Sequence, residues 1–355
     1  MVTLDDVAAL AGVSRMTASN ALRRKAIVRP ETARRVLDAA EQLGYRPNIA
    51  AQQLSSGRTH VISVSLTDFD LIFPAELVAA LSDQAGKRGY QIVAQQTRFS
   101  ADYEQAMLSS ASMQICDGAI VCWPRSAAAD FVGFSRRHPL VMLDAFELAG
   151  QVDGVFTPCA DGAAAGVHHL LRHGARRVLV MGAEPELLER SAPSSSALRL
   201  GGALDALVEA GAYRSREDAI VAGAVLPCAW RRETGYETMT RLLTERGWHD
   251  GCNVLETLGF DAVCCVCDPI AIGVLKALTD AGVRVPQDVM VVGFDAVAEG
   301  RFMTPGLSSV RIDPAEMARD CLDLLLARID GTTPTDARTM TVSHAVVARG
   351  SGERA

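Results

Sequence analysis

Arg15, Met16 and Asn20 lie close together in the run Ala11-Gly12-Val13-Ser14-Arg15-Met16-Thr17-Ala18-Ser19-Asn20, and their chemistry suits base-edge recognition. A guanidinium pairs bidentately with guanine and a carboxamide with adenine, so Arg and Asn projecting from one helix can read a DNA groove. A second set stands further along the chain. Trp123, Asp144, Asp268 and Asp295 each follow a short apolar run. Carboxylates accept pairs of hydroxyl hydrogens, and an indole face covers the C–H side of a ring. That combination fits a small polyhydroxylated ligand.

The first set needs two short helices to hold it. Thr3 can cap the first, with Asp5 and Asp6 in its positive first turn and Val7 and Leu10 on its inner face. Gly12 suits the left-handed residue that ends it. Ser14 can then cap a second helix, Arg15 to Leu22, turning Ala18 and Leu22 inward and Arg15, Met16 and Asn20 outward. Helix, short Gly-containing turn, helix is the spacing of a helix-turn-helix, whose second helix enters the major groove. Pro30 signals a third helix with Val36, Ala40 and Leu43 as its buried stripe and Gly44 as its end. The following run, Arg46-Pro47-Asn48-Ile49-Ala50-Ala51-Gln52-Gln53-Leu54-Ser55-Ser56-Gly57, has a helix cap in Asn48 but few residues before Ser-Ser-Gly. Helices shorter than ~12 residues are marginal alone in water. This segment is therefore expected to be coil unless a partner orders it.

The ordered series Val2 to Ala8, Gly12-Val13-Ser14, Thr17, Ser19, Glu31-Thr32, Val36-Leu37, Leu43-Gly44-Tyr45, Arg46-Pro47-Asn48 and Leu54 resembles the lactose-repressor/galactose-repressor (LacI/GalR) family. The resemblance implies a homodimer on a palindromic double-stranded operator. One recognition helix per subunit enters a major groove, and paired hinge helices wedge a leucine, here Leu54, into the minor groove. On that basis the DNA contacts are expected from Thr3, Ser14, Arg15, Met16, Thr17, Ser19, Asn20, Arg29, Asn48, Ala51, Gln52 and Leu54. The family usually carries arginine where Asn20 stands, so base preference is expected to shift at that position.

Charge is distributed as such a reading needs. Residues 1–58 hold nine basic side chains against five acidic ones, a net +4, which leaves −11 on the remaining chain to reach the total of −7. A basic head on an acidic body concentrates phosphate affinity in the head. No apolar stretch reaches transmembrane length, and the start leads straight into a capped, acidic helix rather than a signal peptide, so a cytoplasmic protein without membrane contact is expected. The nine cysteines sit mostly in apolar runs such as Cys116, Cys122 and Cys264-Cys265, as reduced buried thiols do. Cys264-Cys265-Val266-Cys267 has no second cluster at metal-ligand spacing and reads as a strand. No metal or cofactor is expected. Nor is an enzyme, because the chain has no phosphate-binding loop, dinucleotide fingerprint, His-Glu-x-x-His or nucleophile elbow.

From His60 onward, near-continuous apolar strands alternate with helical stripes, the pattern of parallel sheets covered on both faces. This length exceeds one comfortable core. The expected fold is an all-α helix-turn-helix head (1–45), a hinge or linker (46–59) and an α/β core (60–355) of two doubly wound parallel-sheet lobes. The core resembles the family's periplasmic-binding-protein-like domain, in which the chain crosses between lobes three times. Crossings near Pro158, Val289 and Pro314 would give lobe 1 as 60–157 plus 289–314 and lobe 2 as 158–288 plus 315–355. Ligands bind outside the carboxyl ends of such strands, where Trp123, Asp144, Asp268 and Asp295 stand. Family likeness implies effector contacts for Asp268, in Cys267-Asp268-Pro269-Ile270-Ala271-Ile272-Gly273, and for Arg199. It implies a stacking ring at Trp230. Phe73 follows Asp68 to Ile72, where the family usually has Asn-Pro-Phe-Phe, so the first-lobe wall is altered. The function implied is a repressor of carbohydrate uptake or catabolism genes controlled by a sugar. A purine or nucleoside corepressor is the alternative within the family. The final residues lack leucine heptads, so the tetramerising tail of some relatives is not expected.

Overall fold

Thr3 begins the first helix with a reciprocal cap. Its hydroxyl accepts the Asp6 N–H at 3.3 Å while the Asp6 carboxylate accepts the Thr3 N–H at 2.8 Å, fixing the start of α1 (Leu4–Ala11). Gly12 closes that helix at φ +64°, a conformation that costs glycine little. Ser14 accepts the Thr17 N–H at 3.2 Å at the head of α2 (Arg15–Leu22), and Pro30 is the first residue of α3 (Pro30–Gln42). The three helices close on Val7, Ala8, Ala11, Ala18, Ala21, Val36, Ala39 and Ala40. Leu10, expected inside, is 48% exposed, because Val7 and Ala11 share one line along the helix and Leu10 is rotated off it. Ala21, at 1% exposure, is the deeper residue at the end of α2, ahead of Leu22.

The computed structural model describes residues 2–22, 27–45, 58–110, 113, 115–332 and 336–354. The expected hinge helix, with Asn48, Ala51, Gln52 and Leu54, lies outside them. The chain divides into two compact units, 1–59 and 60–355. In the second, β1 (Val61–Leu66), α4 (Ile72–Lys87), β2 (Gln91–Gln96), α5 (Ala101–Leu108), β3 (Gly118–Cys122), α6 (Ala128–Ser135), β4 (Leu140–Leu143) and β5 (Asp153–Phe156) build one lobe. The chain then crosses. The elements α7 (Cys159–Arg172), β6 (Val178–Met181), α8 (Ser195–Glu209), α9 (Arg216–Val221) and β7 (Val225–Leu226) open the other lobe. They are followed by α10 (Arg232–Glu245), α11 (Val254–Leu258), β8 (Ala262–Cys265), α12 (Asp268–Asp280), β9 (Met290–Asp295) and β10 (Ser308–Ile312). Finally α13 (Pro314–Ile329) and β11 (Thr339–Thr341) return to the first lobe, and β12 (His344–Val347) to the second.

Both sheets have six strands, in the orders β11-β5-β4-β3-β1-β2 and β12-β10-β9-β8-β6-β7. All neighbours run parallel except β10 and β12. Each order reverses once, between β1 and β3 and between β6 and β8. These are the switch points at which a doubly wound sheet opens a crevice. The lobe boundary expected at Val289 is not there. The unit β8–α12–β9 is short, and a short right-handed crossover lays its second strand beside its first in the same sheet. Residues 290–312 therefore stay in the second lobe, and the return falls at Asp313–Pro314, where α13 packs on α4 and β3–β5. The last passage lies at Val342–Ser343.

The central strands β3, β4, β6, β8 and β9 are buried along their whole length, as continuous apolar runs demand. Cys264 and Cys265 belong to β8, and burial pushes the Cys264 thiol up to about 12. Cys116, expected inside, is half-buried, and all nine cysteines are free. Among the described residues no helix is long and apolar enough to cross a membrane.

Helices α7 and α8 pack backbone to backbone at Gly202. A Cβ there would lie 2.1 Å from the Ala160 carbonyl oxygen, with no flexible side chain to yield. Gly202→Ala is expected to cost roughly 1–3 kcal/mol of stability through overpacking. The denaturant midpoint measures it, and a midpoint equal to that of the parent protein would refute the close approach.

Candidate functional site

The crevice is built on a guanidinium held almost out of water. Arg199, on α8, is 3% exposed. Its Nη1 donates to the Val266 carbonyl at 2.6 Å and lies 3.2 Å from Asp295 Oδ1. The charged plane sits 3.7 Å from the centre of the Phe294 ring and 4.9 Å from that of Trp230. The Trp230 indole N–H in turn donates to the Gly182 carbonyl at 2.7 Å. Two flat rings and one carboxylate thus replace the hydration of the cation. Yet Arg199 Nε and Asp295 Oδ1 are both buried without a hydrogen-bond partner. Burial lifts the Asp295 carboxyl to about 6, with Arg199 pulling it down and Asp144 and Glu76 adding to the rise.

Across the crevice, the first lobe offers Trp123, Asp144 and Phe73. The Phe73 and Trp123 rings meet edge to face, with centroids 6.2 Å apart. Trp123, Asp144 and Asp295, all at carboxyl ends of strands, have positive φ values of 52°, 54° and 108°. Left-handed backbone in residues other than glycine is costly and clusters where geometry serves a ligand.

Two expected ligand-facing carboxylates are already engaged within the protein. Asp144 accepts the Thr157 N–H at 2.7 Å, the Thr157 hydroxyl at 2.8 and 2.9 Å, and the Trp123 indole N–H at 3.0 Å. It clamps the chain where the first lobe ends. Asp268 is 0% exposed. It accepts the Val297 N–H at 2.8 Å and the Ser309 hydroxyl at 2.5 Å, tying α12 to the strands beside it. Burial, reinforced by Asp295, holds its carboxyl well above the usual range. The structure brings Arg199, Trp230 and Asp295 together as the sequence predicts, and adds Phe294 and Thr157. Phe294 reads from sequence only as a buried strand residue; the cation over its ring is visible only in three dimensions.

The rim carries further links between the lobes. Arg231, ahead of α10, reaches Asp68 at 3.1 Å and Asp70 at 3.2 Å in the loop after β1. Beside it is a small pocket lined by Leu71, Ile72, Arg232, Pro269 and Ile272. Deeper in, Glu76 on α4 accepts the Ala298 N–H at 2.9 Å. The segment Asp68 to Ile72, which departs from the family pattern, thus supplies the acidic half of the rim.

In the head, Arg15 and Met16 are exposed and Asn20 is half-exposed on α2. Thr17 and Ser19 are half-buried beside them, and Ser14 lies at the positive helix start, where phosphate binds. Thr3 and Arg29 are exposed at the starts of α1 and α3. Arg15 also lies 3.5 Å from Asp5, an exposed pair of little energetic weight.

Residues 3–48 match the family model of bacterial regulatory proteins, lacI family, and residues 167–352 match that of the periplasmic binding protein-like domain. The HTH-type transcriptional repressor PurR of Glaesserella parasuis is 28% identical over 93% of this chain and 90% of its own length. The lac repressor dimer bound to operator and the anti-inducer ONPF superimposes with a TM-score of 0.79 at 23% identity, over 99% of both chains. The transcriptional regulator CelR in complex with cellobiose gives a TM-score of 0.68 at 25% identity, over 99% of this chain and all of that one.

Asp268→Ala removes the acceptor for two buried donors and is expected to destabilise the protein by about 2–5 kcal/mol. Asp268→Asn keeps one acceptor and should lose less. Chemical denaturation of both variants tests the order, and parental stability in the alanine variant would disprove the internal role.

Proposed function

With the chain a member of the LacI family of bacterial regulatory proteins, a DNA-binding transcriptional repressor and not an enzyme, we propose that its crevice takes a planar purine or nucleoside corepressor. The observation that carries this reading is Arg199 Nε, a buried donor without a hydrogen-bond partner, together with Asp295 Oδ1, a buried acceptor held only by its ion pair with Arg199 Nη1 at 3.2 Å. One buried donor beside one buried acceptor complements an adjacent C=O and N–H, the edge of a nucleobase. A sugar would call on several free carboxylates. Asp144 and Asp268, the two that would serve, are already occupied by Thr157, Trp123, Val297 and Ser309. Flat rings at Trp123, Trp230 and Phe73 suit a heterocycle equally well. The similar repressors named PurR support the same choice over the sugar first expected.

For the DNA, two copies of the chain bind a palindrome through α2. Arg15, Met16 and Asn20 meet base edges, and Ser14, Thr17 and Ser19 meet phosphates. The dimeric lac repressor on its operator supports this arrangement. The segment containing Asn48, Ala51, Gln52 and Leu54 is assigned the minor-groove wedge.

Operator fragments selected from a random library, titrated with protein beside panels of purines and of sugars, test the effector. Purines are expected to tighten operator binding; a response to sugars alone would overturn the proposal. Because the base N–H needs an ionised Asp295, ligand affinity should hold above neutral pH. Below about pH 6 it should fall roughly tenfold per pH unit as the carboxyl takes up a proton. Asp295→Asn should flatten that profile, and an unchanged slope would exclude Asp295 as the acceptor. For base readout, Asn20→Arg should move preference from adenine toward guanine by about 1–3 kcal/mol. Selection yielding the parental sequence at every position would exclude Asn20 as a base reader.

A further inference from the structure

Helix α7 carries His169 in its last turn and is capped by His173, four residues on and on the same face. The segment after β12 folds back over them and brings Glu353 alongside. His173 Nε2 lies 3.5 Å from Glu353 Oε1, and His169 Nε2 lies 4.0 Å from the same oxygen. The ring centroids of the two histidines are 4.3 Å apart. All three potential ligand atoms lie within 4.8 Å of one another.

We propose that His169, His173 and Glu353 form a binding site for a zinc-class divalent metal ion. Imidazole nitrogens bound at about 2.1 Å from a tetrahedral ion lie roughly 3.4 Å apart, so spacings of 3.5, 4.0 and up to 4.8 Å must close on binding, which side-chain rotation of the part-exposed His173 and Glu353 can supply. The tautomer is already set for it. His173 Nδ1 lies 2.8 Å from the His169 carbonyl oxygen, so Nδ1 carries the proton and the Nε2 lone pair is left for the metal. His169 is 4% exposed, and its Nε2 has no hydrogen-bond partner although the atom is buried. A buried unpaired nitrogen aimed at a second imidazole and a carboxylate is costly without a ligand to share. With His173 and Glu353 partly exposed, the remaining coordination position faces solvent. Such an ion would pin the segment around Glu353 to α7, whose other end begins at Cys159, just past the Thr157 clamp.

The test uses the full chain, freed of metal with a chelator and kept reduced. Calorimetric titration with zinc should show one equivalent bound per chain, and cobalt should give the visible bands of nitrogen and oxygen ligation. His173→Ala and Glu353→Gln, at partly exposed positions, should keep the metal-free melting temperature. Each should weaken zinc by about tenfold or more, since even outer partners of a metal ligand count for that much. No stoichiometric uptake, a thiolate-to-cobalt band, or parental affinity in both variants would overturn the proposal.

Discussion

Moving a charge out of water is the most expensive thing this core does, and Arg199 is where it does so. Its position dictates much around it. Asp295 must stand at the end of β9 as counter-ion, the Val266 carbonyl must turn inward at the end of β8, and Phe294 and Trp230 must lie against the cation. Burial works against the charged form, yet Asp295 together with the nearby Cys159 and Cys267 offsets it, and the guanidinium is held in its cationic state. The compensation is incomplete by hydrogen-bond count, and the proposed ligand rests on that shortfall.

The central strands were legible because they are buried on both faces and therefore apolar throughout, as in Leu140–Leu143 and Val178–Met181. Strands β5 and β10 were not. They bury Asp153, Ser308 and Ser309, whose partners lie far off in sequence: Arg328 and Arg338 for Asp153, Ser351 and Arg349 for Ser308, Asp268 for Ser309. A polar residue in a strand reads as a loop until its partner is known. The same long-range pairing hid the internal bonds of Asp268, since a strand-end aspartate before Pro269 looks like a ligand contact or a cap. Arg199 and Trp230 were legible only through family likeness, and Asp295 only from its place at a strand end. The helix starts were legible from chemistry alone, because a cap such as Thr3 with Asp6 is a contact between near neighbours.

The proposed ligand residues are shared between lobes, with Arg199, Trp230, Phe294 and Asp295 on the second and Phe73 and Trp123 on the first. A ligand can bias the lobes only by binding one arrangement better than another. Between them, Asp144 holds Thr157 at the passage from one lobe to the other, so that strand end does not move independently of the Trp123 wall. The chain passes between the lobes at three places, which confines their relative motion to a hinge rather than a separation.

The rim pairs of Arg231 with Asp68 and Asp70 add a different kind of sensitivity. They sit partly in solvent, with Arg231 and Asp70 side chains 42% and 63% exposed, whereas Arg199 and Asp295 do not. Mobile ions screen exposed charges over a length of about 8 Å at physiological ionic strength, weakening even close surface pairs in part, but reach buried pairs far less. The crevice therefore has two fasteners with unlike responses. The outer one loosens as the surrounding electrolyte becomes more concentrated, while the inner one is indifferent to it. The balance between the lobes thus responds to ionic strength through its outer pairs far more than through its inner one.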